Sequence, residues 1–314
     1  MSDVSVLMTV YNGMPYLPLA VESVLVQTLQ DFQFVIVNDG STDGTADYLA
    51  SLADPRITVL HQANQGTAAA ANHGLAHIDT PFVARMDADD VTLPTRLERQ
   101  RDFLAAHPQV GLVGTQVVPL GSSRAGSSLQ LPLTHAEIYP AMLAGRHGLA
   151  HSSIMLRTDL LRKIGGYWSL NLVDDWDMML RMGEVAKLAN LPDVLHHYRV
   201  HEGSLNGSGM RWMRFSIDFA CELARRRHTG RPPIAPEDFA ANRNARPWWE
   251  RANEVLDLHA RTQYRLAVAE LHGRRRMIGA ARLAWAALCS PQLTCERVLR
   301  VFRKWNQLRK EARA

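Results

Sequence analysis

FQFVIVN (residues 32–38) runs without a break into DGSTDG (residues 39–44). Seven mostly apolar residues, rich in branched and aromatic side chains, read as a strand buried on both faces. Asp, Gly, Ser and Thr then stop it, each suited to a tight turn. The same grammar surrounds this stretch. VSVLMTV (4–10) is another strand, and PYLPLAVESVLVQ (15–27) places apolar residues at helical spacing after a proline. TADYLASLA (45–53) reads as a helix, RITVLH (56–61) as a strand, and GTAAAANHGLAHI (66–78) as an alanine-rich helix. PFVARM (81–86) is a further strand, and PTRLERQRDFLAAH (94–107) is the helix behind it. Strands alternating with helices predict an α/β fold: a mainly parallel sheet with helices on both faces. Ligands of such sheets bind beyond the carboxyl ends of the strands. DGSTD and DADD each follow a strand, so both are expected on one rim.

The pattern weakens from 119 to 150, where GSSRAGSS (121–128) reads as a surface loop. Strand character returns at HSSIMLR (151–157). The IGGYW turn (164–168), a helix over DDWDMMLRMGEVA (174–186) and a strand beginning VLHHYRV (194–200) follow. After 210 the chain reads as helical and arginine-rich. Residues 1–210 hold 13 Lys and Arg against 21 Asp and Glu, whereas residues 211–314 hold 22 against 10. Two domains are therefore expected, an acidic body over 1–210 and a basic helical extension over 211–314. Such an extension suits a polyanionic partner, and equally a plain solvated surface.

At 46% hydrophobic and 21% charged residues, the composition is that of a soluble globular protein. Cys221, Cys289 and Cys295 show no C-x-x-C spacing, which argues for a reducing compartment and against a zinc site. No secretory pattern opens the sequence and no apolar run reaches transmembrane length, so a cytoplasmic protein is expected.

ARMDADDVTLP (84–94) gathers Asp87, Asp89 and Asp90 at a strand end. Like charges packed that closely repel, and a buried carboxylate is costly unless paired or metal-bound. Two acids with one spacer suit Mg²⁺ or Mn²⁺, which take oxygen ligands and keep positions for phosphates. The plainer alternative is capping, with Asp90 serving the free N–H groups of the next helix.

Six stretches now align with a known family. VLMTVYNGMPYL (6–17), QTLQDFQFVIVNDGSTDGT (27–45), NQGTAAAANHG (64–74), ARMDADDVTLPTRL (84–97), GGYWSLNLVDDWDMMLR (165–181) and HYRVHEGS (197–204) occur in that order. Together they resemble glycosyltransferase family 2, inverting enzymes of the GT-A nucleotide-diphospho-sugar fold, over about residues 4–206. The resemblance implies a hexosyltransferase-type enzyme with a UDP- or dTDP-sugar donor and a saccharide or lipid-linked acceptor. It implies that Thr9, Tyr11 and Asp39 hold the base, with Asn64, Gly66, Arg85 and Asp87 completing the nucleotide-sugar set. Asp89, with Asp87 and His201, would hold the divalent metal. Asp175, from the acidic pair Asp174–Asp175, would be the general base, with Asp177 as the competing carboxylate. The ordinary reading of all three acids is favourable charge at a helix N-terminus. Asn38 replaces the first of two acids of the family pattern, and Asp174 stands in place of a glutamate. Ala71 stands where many relatives have an arginine that supports the donor diphosphate, and Arg85 is the expected substitute for it. Ser152 stands where relatives often have proline.

ERVLRVFRKWNQLRKEARA (296–314) is amphipathic, with Val298, Leu299, Val301, Phe302, Trp305 and Leu308 opposite Arg297, Arg300, Arg303 and Lys304. It suits either an anionic membrane surface or packing within the protein or a homo-oligomer. Nucleic acid is not expected, because the acidic rim repels phosphate. Two rivals remain at this level. A sugar-1-phosphate nucleotidyltransferase would need a glycine-rich basic loop that YNGMPYL does not supply. An inactive nucleotide-sugar-binding or scaffold protein finds its best support in Ala71.

Overall fold

The computed structural model describes residues 2–120, 130–168, 174–199, 207–271 and 276–290. His201, Cys295, the loop at 121–128 and the helix read at 296–314 lie outside them. The chain divides into two compact units, one of residues 1–204 with 212–233 and one of 205–211 with 234–314. Trp212–Pro233 thus pack with the first unit.

In chain order the first unit contains β1 (Val4–Val10), α1 (Leu17–Leu25), β2 (Gln33–Asp39), α2 (Thr45–Ala50), β3 (Ile57–Gln62), α3 (Thr67–Leu75) and β4 (Phe82–Asp87). It continues with β5 (Val91–Thr92), α4 (Arg96–Ala106), β6 (Val110–Pro119), α5 (His135–Leu143), β7 (Met155–Arg157), α6 (Thr158–Lys163), α7 (Asp174–Val185), β8 (Lys187–Tyr198) and most of α8 (Gly207–His228). The second holds α9 (Pro236–Asn244), α10 (Trp248–Leu271) and α11 (Arg276–Cys289).

One eight-stranded sheet runs in the order β3-β2-β1-β4-β7-β6-β8-β5. β1 through β4 are mutually parallel, β7 turns against both β4 and β6, and β6 and β8 are again parallel. The mainly parallel but mixed sheet expected of the sequence is the one found. Side chains of a strand alternate between faces, and the core follows that period. Leu7, Val35 and Val37 face a layer with Ala70, Leu75 and α7, whereas Val6, Met8, Phe34 and Ile36 face α1 and Leu97 of α4.

α3 owes its position to its small residues. A Cβ on Gly74 would come within 2.3 Å of Leu7 Cδ1 and 2.9 Å of Val37 Cγ2, so only glycine allows this approach to the sheet. β6 was not legible as a strand because Gly111 and Gly114 interrupt its apolar pattern. In the fold those glycines make room for Ala186 and for the Asn190 amide. The second unit has its own small core, in which Ala260 meets Ala286 beside Tyr264 and Cys289. Among the described residues no helix is long and apolar enough to cross a membrane.

Candidate active site

β1 and β4 are adjacent and parallel, with Thr9 in register with Asp87. Their carboxyl ends therefore open on one rim. A cleft of about 540 Å³ lies there, within the range of small-molecule sites. Its walls come from the β1–α1 loop (Thr9 to Met14, with Tyr16), Thr67 and Ala68 of α3, Asp87 to Asp89, His151, Tyr167, and Asp174 with Asp175 of α7. Five expected residues, Thr9, Tyr11, Asp87, Asp89 and Asp175, thus meet in one cavity although they are far apart in sequence.

The β1–α1 loop is held by the turn after β2. Asn12 N–H donates to Ser41 Oγ at 2.9 Å, Gly13 N–H to Thr45 Oγ1 at 2.9 Å and Met14 N–H to Asp43 Oδ2 at 3.1 Å. In return Asn12 Oδ1 accepts from Thr42 N–H at 2.8 Å. Turn-forming residues here serve as side-chain partners for a neighbouring backbone.

Four expected donor ligands do not line the cleft. Asp39 is buried, and its carboxylate accepts from Gln62 Nε2 at 2.7 Å, Gln65 N–H at 2.9 Å and Gly66 N–H at 2.9 Å. It ties the loop that leads into α3, and so presents Thr67 and Ala68 to the cavity. Gly66 is there for its backbone (φ 88°), since a Cβ would meet nothing within 4 Å. Asn64 is exposed outside the cleft. Arg85, only 1% exposed, lies beneath the floor. It donates to the Leu7 carbonyl at 3.0 Å and reaches Thr9 Oγ1 and Asp87 Oδ1 at 3.4 Å. Arg85 therefore supports the floor from below and lies outside the cleft lining, where the substitute arginine is expected. Ala71 is itself buried in the core.

The two candidate bases separate cleanly. Asp177 is buried in an ion pair with Arg181 (2.7 Å), and Arg227 adds a contact at 3.4 Å. Asp175 faces the cleft, where its Oδ1 accepts the Trp176 N–H at 2.8 Å. Burial pushes the Asp175 carboxyl above its ordinary range, with that hydrogen bond opposing. Asp87 is pushed up to about 7 by desolvation in the cleft, against the pull of Arg85 and with help from Asp90, Asp89 and Asp175. Its side chain retains 43% of its exposure, so it is desolvated by the cavity walls while still reachable from solvent. A rim that concentrates repelling carboxylates is chemically suited to a hard cation. Asp87 and Asp89 offer oxygen donors and leave positions for ligand oxygens, which fits Mg²⁺ or Mn²⁺. Among the described residues there is no group of three or more His, Cys, Asp or Glu arranged for a metal.

Asp90 turns out not to cap α4. It accepts from His196 Nε2 at 2.8 Å, from the Arg199 N–H at 2.8 Å and from Ser152. Burial opposes its charge, yet those hydrogen bonds hold its carboxyl below the ordinary range. Arg199 continues from there, donating to the Asp89 carbonyl at 2.8 Å while stacking 4.2 Å over the Tyr16 ring.

Sequence reasoning missed His151 and Tyr167. His151 Nε2 and the Tyr167 hydroxyl share a hydrogen bond of 3.0 Å inside the cleft. Burial, with the Arg85 charge nearby, holds the His151 imidazole well below its ordinary range. Asn72 clamps Tyr167 through both backbone groups, at 2.6 and 2.9 Å. A Cβ on Gly166 (φ 63°) would meet Asn72 Oδ1 at 2.4 Å, so the second glycine of IGGYW admits the clamp. The signal was present as Asn72 in NHG and as GGY, but nothing local links residues 95 apart.

The same fold recurs among known proteins. Residues 5–165 match the profile described as glycosyl transferase family 2. A Bacillus subtilis (strain 168) protein provisionally named glycosyltransferase EpsE is 32% identical over 225 residues, 69% of this chain and 79% of its own. Among solved structures, S. aureus TarS 1-349 in complex with UDP-GlcNAc is similar with a TM-score of 0.57 at 15% identity, over 94% of this chain and 92% of that one. The mannosyltransferase PcManGT from Pyrobaculum calidifontis, in complex with GDP-Man and Mn²⁺, is similar with a TM-score of 0.56 at 20% identity, covering 97% and 83%.

Proposed function

The chain belongs to glycosyl transferase family 2, and on that premise we propose that it transfers a sugar with inversion from a nucleoside-diphosphate donor to an acceptor hydroxyl. The observation that carries this reading is one shared cavity, with Asp87 and Asp89 on the sheet rim and Asp175 on α7. The acceptor oxygen attacks C1 from the face opposite the diphosphate, forming the new C1–O bond. The old C1–O bond breaks, its electron pair leaves with the nucleoside diphosphate, and the acceptor proton passes to Asp175. A raised carboxyl pKa strengthens a base as long as the group stays ionised at working pH. Asp87 and Asp89 would hold the Mn²⁺ or Mg²⁺ whose charge offsets that of the leaving diphosphate. Tyr11, half-exposed at the mouth, supplies an aromatic face for the base, and Thr9 a hydroxyl beside Asp87.

UDP- or dTDP-sugars are the donors to try first, with saccharide or lipid-linked acceptors. The bound UDP-GlcNAc and GDP-Man of the structural neighbours are in keeping with a nucleotide-sugar donor. The test is a calorimetric panel of nucleotide sugars with and without Mn²⁺. One donor should bind in a metal-dependent way, and Asp89→Ala should abolish that dependence while leaving the fold intact. Binding indifferent to both metal and Asp89 sinks the metal assignment. Release of pyrophosphate in place of nucleoside diphosphate would identify a nucleotidyltransferase.

A further inference from the structure

The transfer step leaves His151 and Tyr167 unused, although both line the cleft. The pair is held in place. Asn72 fixes the Tyr167 backbone, and the two rings meet edge to face, with centroids 5.6 Å apart and planes at 75°. Their shared bond of 3.0 Å is the one side-chain hydrogen bond that either makes among the described residues.

A core histidine ordinarily uses both ring nitrogens, and a buried phenol both its hydrogen and its lone pairs. This pair does not. If the phenol donates to Nε2, its oxygen can still accept and Nδ1–H can still donate. If Nε2–H donates to the phenol, the hydroxyl hydrogen stays unspent and Nδ1 accepts. Either way, one donor and one acceptor remain on a wall of the cavity.

Asp87 and Asp89 make the neighbouring rim anionic, so a phosphate can settle there only through a cation. Burial instead disfavours the charged form of both His151 and Tyr167, holding the imidazole down and the phenol up. An uncharged donor and acceptor match an alcohol, which gives one hydrogen and takes another. Position narrows the choice of alcohol. The charges of Asp175 and Asp87 both reach the Tyr167 phenol, as does that of Arg85 under the floor. The phenol therefore stands between the base and the rim carboxylates, where the carbon that changes partners has to lie.

We propose that the His151–Tyr167 pair binds a ring hydroxyl of the transferred sugar and so determines which sugar is accepted. The inference rests on the donor reading of the cleft. A site built to hydrogen-bond one hydroxyl rejects analogues that lack it.

The test is calorimetric titration of the full chain in the presence of Mn²⁺. The probes are UDP, dTDP and GDP, each beside its glucosyl, galactosyl and mannosyl derivatives. Tyr167→Phe keeps the ring and its packing, so circular dichroism should stay unchanged. This variant should bind the free diphosphate as wild type does, and the preferred nucleotide sugar about tenfold more weakly. His151→Ala should show the same selective loss. The deoxy form of that sugar lacking the bound hydroxyl should bind wild type and Tyr167→Phe alike. Equal loss for diphosphate and nucleotide sugar, no loss for either, or a loss confined to the acceptor KM would each overturn the proposal. So would a tenfold gap that persists with every single-deoxy sugar. A wild type that binds no nucleotide of the panel would overturn the donor reading itself, and the proposal with it.

Discussion

Asp89 and Asp90 are neighbours, and Asp175 and Asp177 are two residues apart, yet each pair splits between two fates. Asp89 and Asp175 face the cleft. Asp90 is buried among His196, Ser152 and the Arg199 backbone, and Asp177 is buried on Arg181. A step of one residue past a strand, or of two along a helix, carries a side chain from a solvent cavity into the interior. The carboxylates themselves are chemically alike. What separates an acid open to a ligand from a structural one is whether it opens on the cavity or is enclosed by its partners.

The largest effect should come from exchanging members of the α7 pair. Asp175→Asn should lower kcat about 10²- to 10⁴-fold while leaving nucleotide-sugar affinity intact. Wild-type turnover in this variant would remove Asp175 from the mechanism. Asp177→Asn should do the reverse: stability falls by about 3 kcal/mol in urea unfolding, because Arg181 is left without its buried counter-charge. Donor affinity per folded molecule should hold. If Asp177→Asn proves stable but inactive, the assignments of the two acids must be exchanged.

A smaller effect is expected at the strand pair. Asp90→Asn should cost about 1–3 kcal/mol, since His196 and the Arg199 N–H lose a charged acceptor. Through Arg199 it should also weaken donor binding, because that arginine holds the Asp89 carbonyl and covers Tyr16. A variant that loses stability with unchanged donor affinity would uncouple the two acids.

The pH profile sharpens the contrast further. Burial raises the Asp175 carboxyl, so its proton is retained to higher pH than that of an ordinary aspartate. A base must be ionised to act. Transfer should therefore fail as pH drops through this raised value, and Asp175→Asn should remove the Asp175 part of the acid limb of kcat, leaving the part that follows Asp87. The mildest change is Asn72→Ala, which should cost about 1–2 kcal/mol and raise KM more than it lowers kcat, since it frees the Tyr167 backbone. Unchanged kinetics would make the clamp purely structural.

The alternation that orders β1 to β4 was legible because each strand is an apolar run closed by turn residues. VSVLMTV coincides with β1, and the rim location of DADD followed from the carboxyl end of β4. β6 escaped because its glycines serve neighbouring side chains. Within the cleft, Thr9, Tyr11, Asp87, Asp89 and Asp175 were readable from motif order. Asp39 and Arg85 lie outside the cleft lining for one reason: a charged residue near a strand end has two faces available, and both of these turn inward to backbone partners. His151 and Tyr167 depended on long-range contacts that no local pattern encodes.

The lacing of the β1–α1 loop by Asn12, Ser41, Asp43 and Thr45 has a thermodynamic corollary. The chain entropy of those residues is surrendered during folding and not when a substrate arrives. An incoming nucleotide therefore meets a rigid socket, and capture there should be limited by encounter and desolvation. Residues outside the cleft lining, Ser41 and Thr45 among them, would then govern how tightly it is held.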